Sequence, residues 1–581
     1  MRTVITGVGI VSAIGNDSSE VLASLRNGES GIGEMCYLKS EHRELPVGEV
    51  KMSDDEMKVL LGVPRERLVS RTSLMGALAV KQAMKDAGIT PDEGLRIALI
   101  NGTTVGGMDI TERYFSELKH DDTLLPILRK HDCGSSTKDI ADLCGLSGET
   151  CTVSTACSSA LNAVILGAEM LRSGEADIVI AGGSEALTKF HLNGFNTLMI
   201  LDKERCRPFD ESRAGLNLGE GAAFVVLARE GETQGRKRAY VSGYANTCDA
   251  FHQTASSEDG EGAYLAMSRA LEMSGLSGED IHYINAHGTG TPNNDSSESM
   301  AIKRVFGEQL PLVSSTKSYT GHTTSASGAI ELVISMLAME NGFIPSNLGW
   351  QHAMPDGILP SVGAVSRQID NVMCNSFGFG GNDSSMIISR YALRDIPATD
   401  SGVETETVSE SVISGLEQLQ DSKDIISPRE SRRMGKLLKA ATLTSCRALA
   451  EAGVYSPDAI ITATCLGMIE NSELFLEDMC ENGESLLKPT LFMQSTHNTI
   501  GSSVAIRLGC HGYNVTYSHG ADSWAWALRD ARRLIQSGCA ESVLVGCHDE
   551  STQQIDEFCA RMECKKRPDV FSRSVVIKRK R

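Results

Sequence analysis

No run of about 18 consecutive apolar residues occurs among the 581 residues, so nothing in the sequence reads as a membrane-spanning helix. The first residues, Met1-Arg-Thr-Val-Ile-Thr-Gly-Val-Gly-Ile-Val11, are glycine-broken and carry no cleavage pattern, which leads us to expect an unexported, cytoplasmic protein. There is no Cys-x-x-Cys pair and no Cys/His spacing of a zinc site. Sixteen cysteines spread over this length fall short of a disulfide scaffold, so the thiols are expected to be reduced and no metal is expected. Basic excess is also missing. A formal charge of −20 disfavours binding to a nucleic-acid backbone, and the basic tail Lys578 to Arg581 is too short to reverse that.

What is present is enough apolar residue, 41%, to fill two or three domain cores. Residues 1–391 alternate short apolar strand-like runs with amphipathic stretches, the pattern of a layered α/β domain. Such runs include Val4 to Val11, Ile97 to Ile100, Ile178 to Ala181, Ala223 to Leu227, Tyr283 to Ala286 and Ser385 to Ile388. Residues 392–432 turn acidic and rich in Ser, Thr and Glu and read as a linker. The remainder, 433–581, echoes the first part: Met434-Gly-Lys-Leu-Leu and Glu451-Ala-Gly-Val454 follow Leu74-Met-Gly-Ala-Leu and Asp86-Ala-Gly-Ile89. The repeat reads as ending near Glu550, which makes the C-terminal region half a domain.

Cys157 ends the strand-like run Cys151 to Ala156 and opens a segment in which Leu161, Val164, Ile165, Ala168 and Leu171 share one helical face. A thiol at such a junction gains from free N–H groups and the helix dipole, which favour the thiolate and make it a nucleophile for thioesters. A small core cysteine is the commoner role, so further motifs must decide. Three follow in order: Asn285-Ala-His-Gly-Thr-Gly-Thr-Pro292, the cluster of Lys317, His322 and Glu331, and the glycine-rich Asn375-Ser-Phe-Gly-Phe-Gly-Gly-Asn382. In the repeat, the counterpart of Cys157 is Ala521.

Together with Arg207-Pro-Phe-Asp210 and Gly219-Glu-Gly221, these motifs make residues 1–391 resemble the β-ketoacyl-acyl carrier protein synthases of the thiolase superfamily. The resemblance implies a five-layered α-β-α-β-α fold of two similar halves, here meeting near residues 230–240, and decarboxylative Claisen condensation by a Cys157-His287-His322 triad. It implies that Cys157 accepts an acyl group from the phosphopantetheine arm of an acyl carrier protein, with no tightly bound cofactor. The oxyanion would lie between the N–H groups of Cys157 and Phe379, and Phe379 would gate the site. Both histidines would hold the malonyl thioester, and Lys317 and Glu331 would support them by orienting His322 and ordering water, a surface ion pair being the plain alternative. Arg65, Arg67, Arg71, Arg129 and Lys130 are the candidates for docking an acidic carrier protein.

Two family motifs are altered, to Arg213-Ala-Gly-Leu216 and Gly380-Gly-Asn-Asp383, which bears on substrate range. The segment Leu491-Phe-Met-Gln-Ser-Thr496 is similar to one that crosses the two-fold axis of homodimeric synthases, which places Phe492 and Met493 near the acyl chain. The C-terminal region thus resembles the N-terminal half of a chain-length factor fused in cis, so either a homodimer or a pseudo-dimer with this module is expected. More loosely, the fusion resembles those of aryl polyene or flexirubin-type pigment clusters. General fatty acid elongation, acyl transfer without condensation and a non-enzymatic chain-length-factor or scaffold role are the alternatives.

Overall fold

Five strands of the first segment, β1 (Thr3–Ser12), β2 (Ile97–Gly102), β3 (Thr150–Val153), β4 (Ile178–Glu185) and β5 (Gly221–Arg229), pair in the order β3-β2-β4-β5-β1. The computed structural model describes residues 1–91, 94–232, 236–400, 402–422 and 424–580, and in it this order recurs twice. The second segment supplies β6 (Ala239–Cys248), β7 (Tyr283–Asn285), β8 (Leu312–Ser314), β9 (Asn371–Gly378) and β10 (Asn382–Ser389), ordered β8-β7-β9-β10-β6. The third supplies β11 (Thr405–Ser414), β12 (Ala459–Ala463), β13 (Tyr513–Tyr517), β14 (Ser542–Glu550) and β15 (Val570–Arg579), ordered β13-β12-β14-β15-β11. Residues 233–235 of the expected boundary near 230–240, and Arg581 of the basic tail, lie outside the described residues. Among the described residues no helix is long and apolar enough to cross a membrane.

Helices α1 (Arg71–Ala87) and α2 (Cys133–Cys144) cover one face of the first five strands, and α3 (Ser159–Arg172) the other. After α4 (Lys189–Thr197), the second segment places α5 (Glu261–Ser274) and α6 (Pro292–Phe306) outside its strands and α7 (Ser327–Asn341) inside. Packed against each other, α3 and α7 form the central layer, which yields the five expected layers. Their sequences show why: Ser159-Ala-Leu-Asn-Ala-Val-Ile-Leu-Gly-Ala is apolar or small on every side, and burial runs around both helices rather than along one face. The strands follow the same logic, β4 being buried at every residue because helices cover both faces.

The third segment adds α8 (Lys436–Glu451), α9 (Thr499–Leu508), α10 (Ser523–Gln536) and α11 (Gln553–Arg561). Its α10 is the counterpart of α3 but reads Ser-Trp-Ala-Trp-Ala-Leu-Arg-Asp-Ala-Arg-Arg, with Ala525 and Arg532 exposed. No second half covers it, so one face has become polar. Arg529 and Arg533 of α10 reach Glu175 beyond α3 at 2.5 and 2.9 Å. Burial alone would raise the Glu175 pKa, but Arg533 and Arg529 outweigh it and hold the carboxyl at about 2.

The two copies meet about a local two-fold axis. Strand β3 pairs antiparallel with β13 at Val153 and Tyr517. Ser154 N–H donates to the Thr516 carbonyl at 2.9 Å, and Ser518 N–H to the Thr152 carbonyl at 3.1 Å. Each copy thus gives the other the same bond, as in an isologous dimer interface. Cys133 Sγ and His497 Nε2, 3.9 Å apart, are equivalent residues separated by the same 364 positions as Cys157 and Ala521. The edge at which a second chain would pair through β3 is occupied by the chain's own module.

Two expectations are corrected. The span 392–432 is not linker throughout, because β11 lies within it and pairs with β15. It is an edge strand with only Ser409 and Ile413 buried, so its Thr, Glu and Ser pattern looks like solvated chain. The repeat does not stop at Glu550 either. Helix α11 sits where α4 does in the first copy, and β15 pairs with β14 as β5 does with β4. The connection between them has shrunk from residues 198–220 to 562–569, which removes the sequence register.

Candidate active site

Cys157 lies in a tight turn between β3 and α3, where Ala156 adopts φ 51°. A left-handed conformation costs a non-glycine residue about 1–3 kcal/mol, so the surroundings must hold it. Ser159 does so: its Oγ accepts from Thr155 N–H at 2.8 Å and donates to the Ala156 carbonyl at 2.6 Å. The module keeps this elbow, with Ser523 accepting from His519 N–H and donating to the Gly520 carbonyl, but presents Ala521 at its tip. His519 rings against Thr152 and Thr150 across the local two-fold, a structural use.

Sγ of Cys157 is 3.1 Å from Nε2 of His322, and the rings of His322 and His287 meet edge to face with centroids 5.3 Å apart. His287 follows β7, and Glu298 of α6 accepts from the N–H groups of His287 and Gly288 at 2.9 and 2.7 Å. Lys317 and Glu331 are buried, not a surface pair, at 2.5 Å. Lys317 does not bond His322 as expected. Its ammonium donates to His287, at 3.3 Å to Nδ1 and 2.6 Å to the carbonyl oxygen. Because an ammonium only donates, Nδ1 of His287 must be the acceptor and its ring proton must sit on Nε2.

Burial, then the Lys317 charge, drives both imidazoles well below their ordinary pKa, so both are neutral at pH 7. The same burial corrects the expectation of a ready thiolate. It pushes the Cys157 thiol up to about 11, against the downward pull of Lys317 and of the Phe379 N–H. Glu331 rises to about 7 through burial, which Lys317 only partly offsets. Cys157, His287 and His322 offer donor atoms within 4.8 Å of one another, a spacing a metal could use, but the Lys317 ammonium against His287 opposes a dication.

Phe379 presents its backbone N–H to Cys157 Sγ, alongside the N–H of Cys157 itself. A Cβ at Gly378 would lie 3.1 Å from the Cys157 nitrogen, so glycine is what lets this loop approach. The Phe379 ring stacks on Phe195, centroids 5.6 Å apart. Both line a cavity of about 440 Å³ that reaches Cys157, His287 and His322 and is walled further by Phe377, Ile200 and Leu216.

Sequence reasoning missed the module's hold on this loop. Asn498, preceding α9, donates to the Phe379 carbonyl at 2.9 Å, and a Cβ at Gly380 would strike Ser502 of α9. Asn382, one of the two altered positions of the glycine-rich motif, accepts from Ser158, Asn162 and Asn246 and donates to the Asn514 carbonyl of β13. No local pattern distinguishes such long-range bonds from ordinary polar residues.

Neither Phe492 nor Met493 lines the cavity at Cys157. Phe492 is buried one layer behind, edge-on to Phe195 at 5.3 Å, and its ring fills the place a side chain at Gly194 would take. Among the docking candidates, Arg65 and Arg67 are exposed, with Arg65 bonded to Asp55 at 2.6 Å. Arg71 is buried and forked onto Glu220 at 2.9 and 2.7 Å, so it cannot meet a partner. Lys130 is tied to Asp139 at 2.6 Å, and Arg129 lines a different cavity, shared with the module.

The comparisons agree with this geometry. Residues 1–233 and 380–563 match the beta-ketoacyl synthase N-terminal domain, and residues 238–351 match its C-terminal domain. The chain is 32% identical over 411 residues to "3-oxoacyl-[acyl-carrier-protein] synthase 2" of Vibrio cholerae, covering 67% of this chain and 99% of that protein. It is similar to a solved structure titled "The ishigamide ketosynthase/chain length factor", at 31% identity and TM-score 0.62, over 67% of this chain and 99% of that one. The fold of "PfaC Keto synthase-Chain length factor" matches across 100% of this chain and 78% of that one, with TM-score 0.81 at 16% identity. With its thiolase-like fold and a cysteine flanked by two histidines, the chain belongs to the β-ketoacyl synthase family of acyl-transferring condensing enzymes.

Proposed function

We propose that the chain is a β-ketoacyl-[acyl-carrier-protein] synthase that elongates an acyl chain by decarboxylative Claisen condensation. The observation that carries this reading is His287 fixed by Lys317 as an Nε2–H donor beside a thiol 3.1 Å from His322. Nδ1 of His322 is buried with no partner among the described residues, so neither tautomer is locked. Nε2 can therefore accept in one half-reaction and donate in the other.

In the first half, Cys157 sulfur adds to the acyl thioester while its proton passes to His322. The oxyanion rests on the N–H groups of Cys157 and Phe379, and the departing phosphopantetheine thiol takes the proton back. In the second, both Nε2–H groups hold the malonyl thioester carbonyl. The bond to the carboxylate breaks, CO₂ leaves, and the electron pair becomes an enolate held by neutral donors. Its carbon bonds to the acyl carbonyl, the bond to Cys157 sulfur breaks, and the sulfur recovers a proton from solvent. Phosphopantetheine arrives with the carrier protein, and no tightly bound cofactor takes part.

The looser resemblance of the fusion to those of pigment clusters favours an aryl or polyunsaturated product over general fatty acid elongation. Incubating the protein with aryl, polyenoyl and saturated acyl-carrier proteins and mapping the peptide that holds Cys157 tests the assignment. An acyl adduct there, heaviest for aryl or polyenoyl groups, is expected. No adduct from any donor would sink it.

Three docking candidates are exposed, Arg65, Arg67 and Arg129; Arg129 lies at the cavity shared with the module, which leaves Arg65 and Arg67 for an acidic carrier protein. Reversing both charges should raise the KM for carrier protein and leave kcat nearly unchanged. An unchanged KM would reject this surface.

A further inference from the structure

The local two-fold gives the acyl cavity a counterpart. Phe492 and Leu128 are equivalent residues, as are Met493 and Arg129, and α4 corresponds to α11, all at the offset that separates Cys133 from His497. On the catalytic side Phe492 closes over Gly194. On the other side the smaller Leu128 faces Phe558, the equivalent of Gly194, and a cavity of about 460 Å³ lies there between the catalytic part and the module. Its walls are mostly apolar, formed by Phe115, Leu128, Ile469, Leu476, Ile555 and Phe558, with Gln554 among them, its amide atoms buried without a partner among the described residues. The volume is within the 300–1,000 Å³ usual for small-ligand sites.

Charge at the rim selects the ligand. Exposed Arg129 and Lys565 line it, and neither has an ion-pair partner among the described residues. Arg567, also at the rim, leans on Cys465 and Asp549. Two carboxyls, Glu473 and Asp132, border the same space, and burial raises the pKa of each. An apolar chamber with two unpaired cations at its edge suits a long apolar chain ending in one negative charge. We propose that this cavity is a second, non-catalytic site that binds a straight-chain fatty carboxylate. No acyl transfer occurs in it, since the nucleophile position of the module is Ala521.

Cys559 and Cys564 line the cavity and report on it, while Cys36 and Cys539 are exposed outside it. The test uses the full-length Cys157→Ala protein, so that no ligand is held by acylation and the readout needs no condensation. With dodecanoate at ten times its Kd, alkylation of Cys559 and Cys564 should slow about tenfold, and that of Cys36 and Cys539 should not change. Absence of protection, or equal slowing at all four thiols, would overturn the proposal. Adding Cys559→Trp should fill the chamber and abolish protection of Cys564; persistent protection would also overturn it. Adding Arg129→Glu and Lys565→Glu should weaken dodecanoate at least tenfold and spare dodecanol. Equal binding of dodecanoate before and after those changes would reject the head-group assignment.

Discussion

His287→Ala is expected to lower ¹⁴CO₂ release from labelled malonyl-carrier protein by about 10²–10³-fold, the usual cost of losing one preorganised donor to a developing oxyanion. His322→Ala should lose a similar factor and also acylate slowly, because its Nε2 is the group 3.1 Å from the thiol. Cys157→Ala behaves differently on this account. It lacks the acyl acceptor but keeps both donors, so CO₂ is still released and no lengthened product forms. Release that survives loss of either histidine would defeat the mechanism. The contrast matters because all three residues are buried together, and a merely structural role would make their losses alike.

Phe492→Ala should carry the second large effect. The ring is 2% exposed, packed among Phe190, Phe195 and Phe475. Removing it should cost about 3–5 kcal/mol, seen as a lower denaturation midpoint. It also leaves Phe195 without backing, so the wall of the acyl cavity can yield and products should lengthen. A destabilised variant that makes products of unchanged length would show that Phe492 supports the fold and does not set chain length. Conservative Phe492→Leu separates the two effects, since it loses less packing but still frees space beside Gly194.

The site was legible because its residues come with local signals. Cys157, His287 and the Phe379 loop each stand where a strand ends in a glycine-rich or strained turn, and such turns leave marks in sequence. Lys317 and Glu331 share one short cluster with His322, but which histidine Lys317 bonds depends on how β7 and β8 align, which no spacing records. The first strands were equally plain, since β4 and β5 are buried on both faces and read as unbroken apolar runs. Strand β11 was not, because an edge strand with eight of ten residues unburied looks like linker. Arg71 was misread for the opposite reason: a buried guanidinium forked on Glu220 is indistinguishable in sequence from an exposed one. Asn498 and the cavity by Leu128 exist only because two distant copies meet; the repeat and the segment Leu491 to Thr496 gave notice of that meeting but not of these contacts.

The central claim is that one chain holds one acylation site and its own neighbour, with β13 on the edge of β3 where another chain would pair. Native mass spectrometry of the protein after loading from an acyl-carrier protein tests it most directly. The account predicts a single 62.3 kDa chain bearing one acyl group, with none on Cys157→Ala. An acylated species found only as a pair of chains, or two acyl groups on one chain, would contradict it.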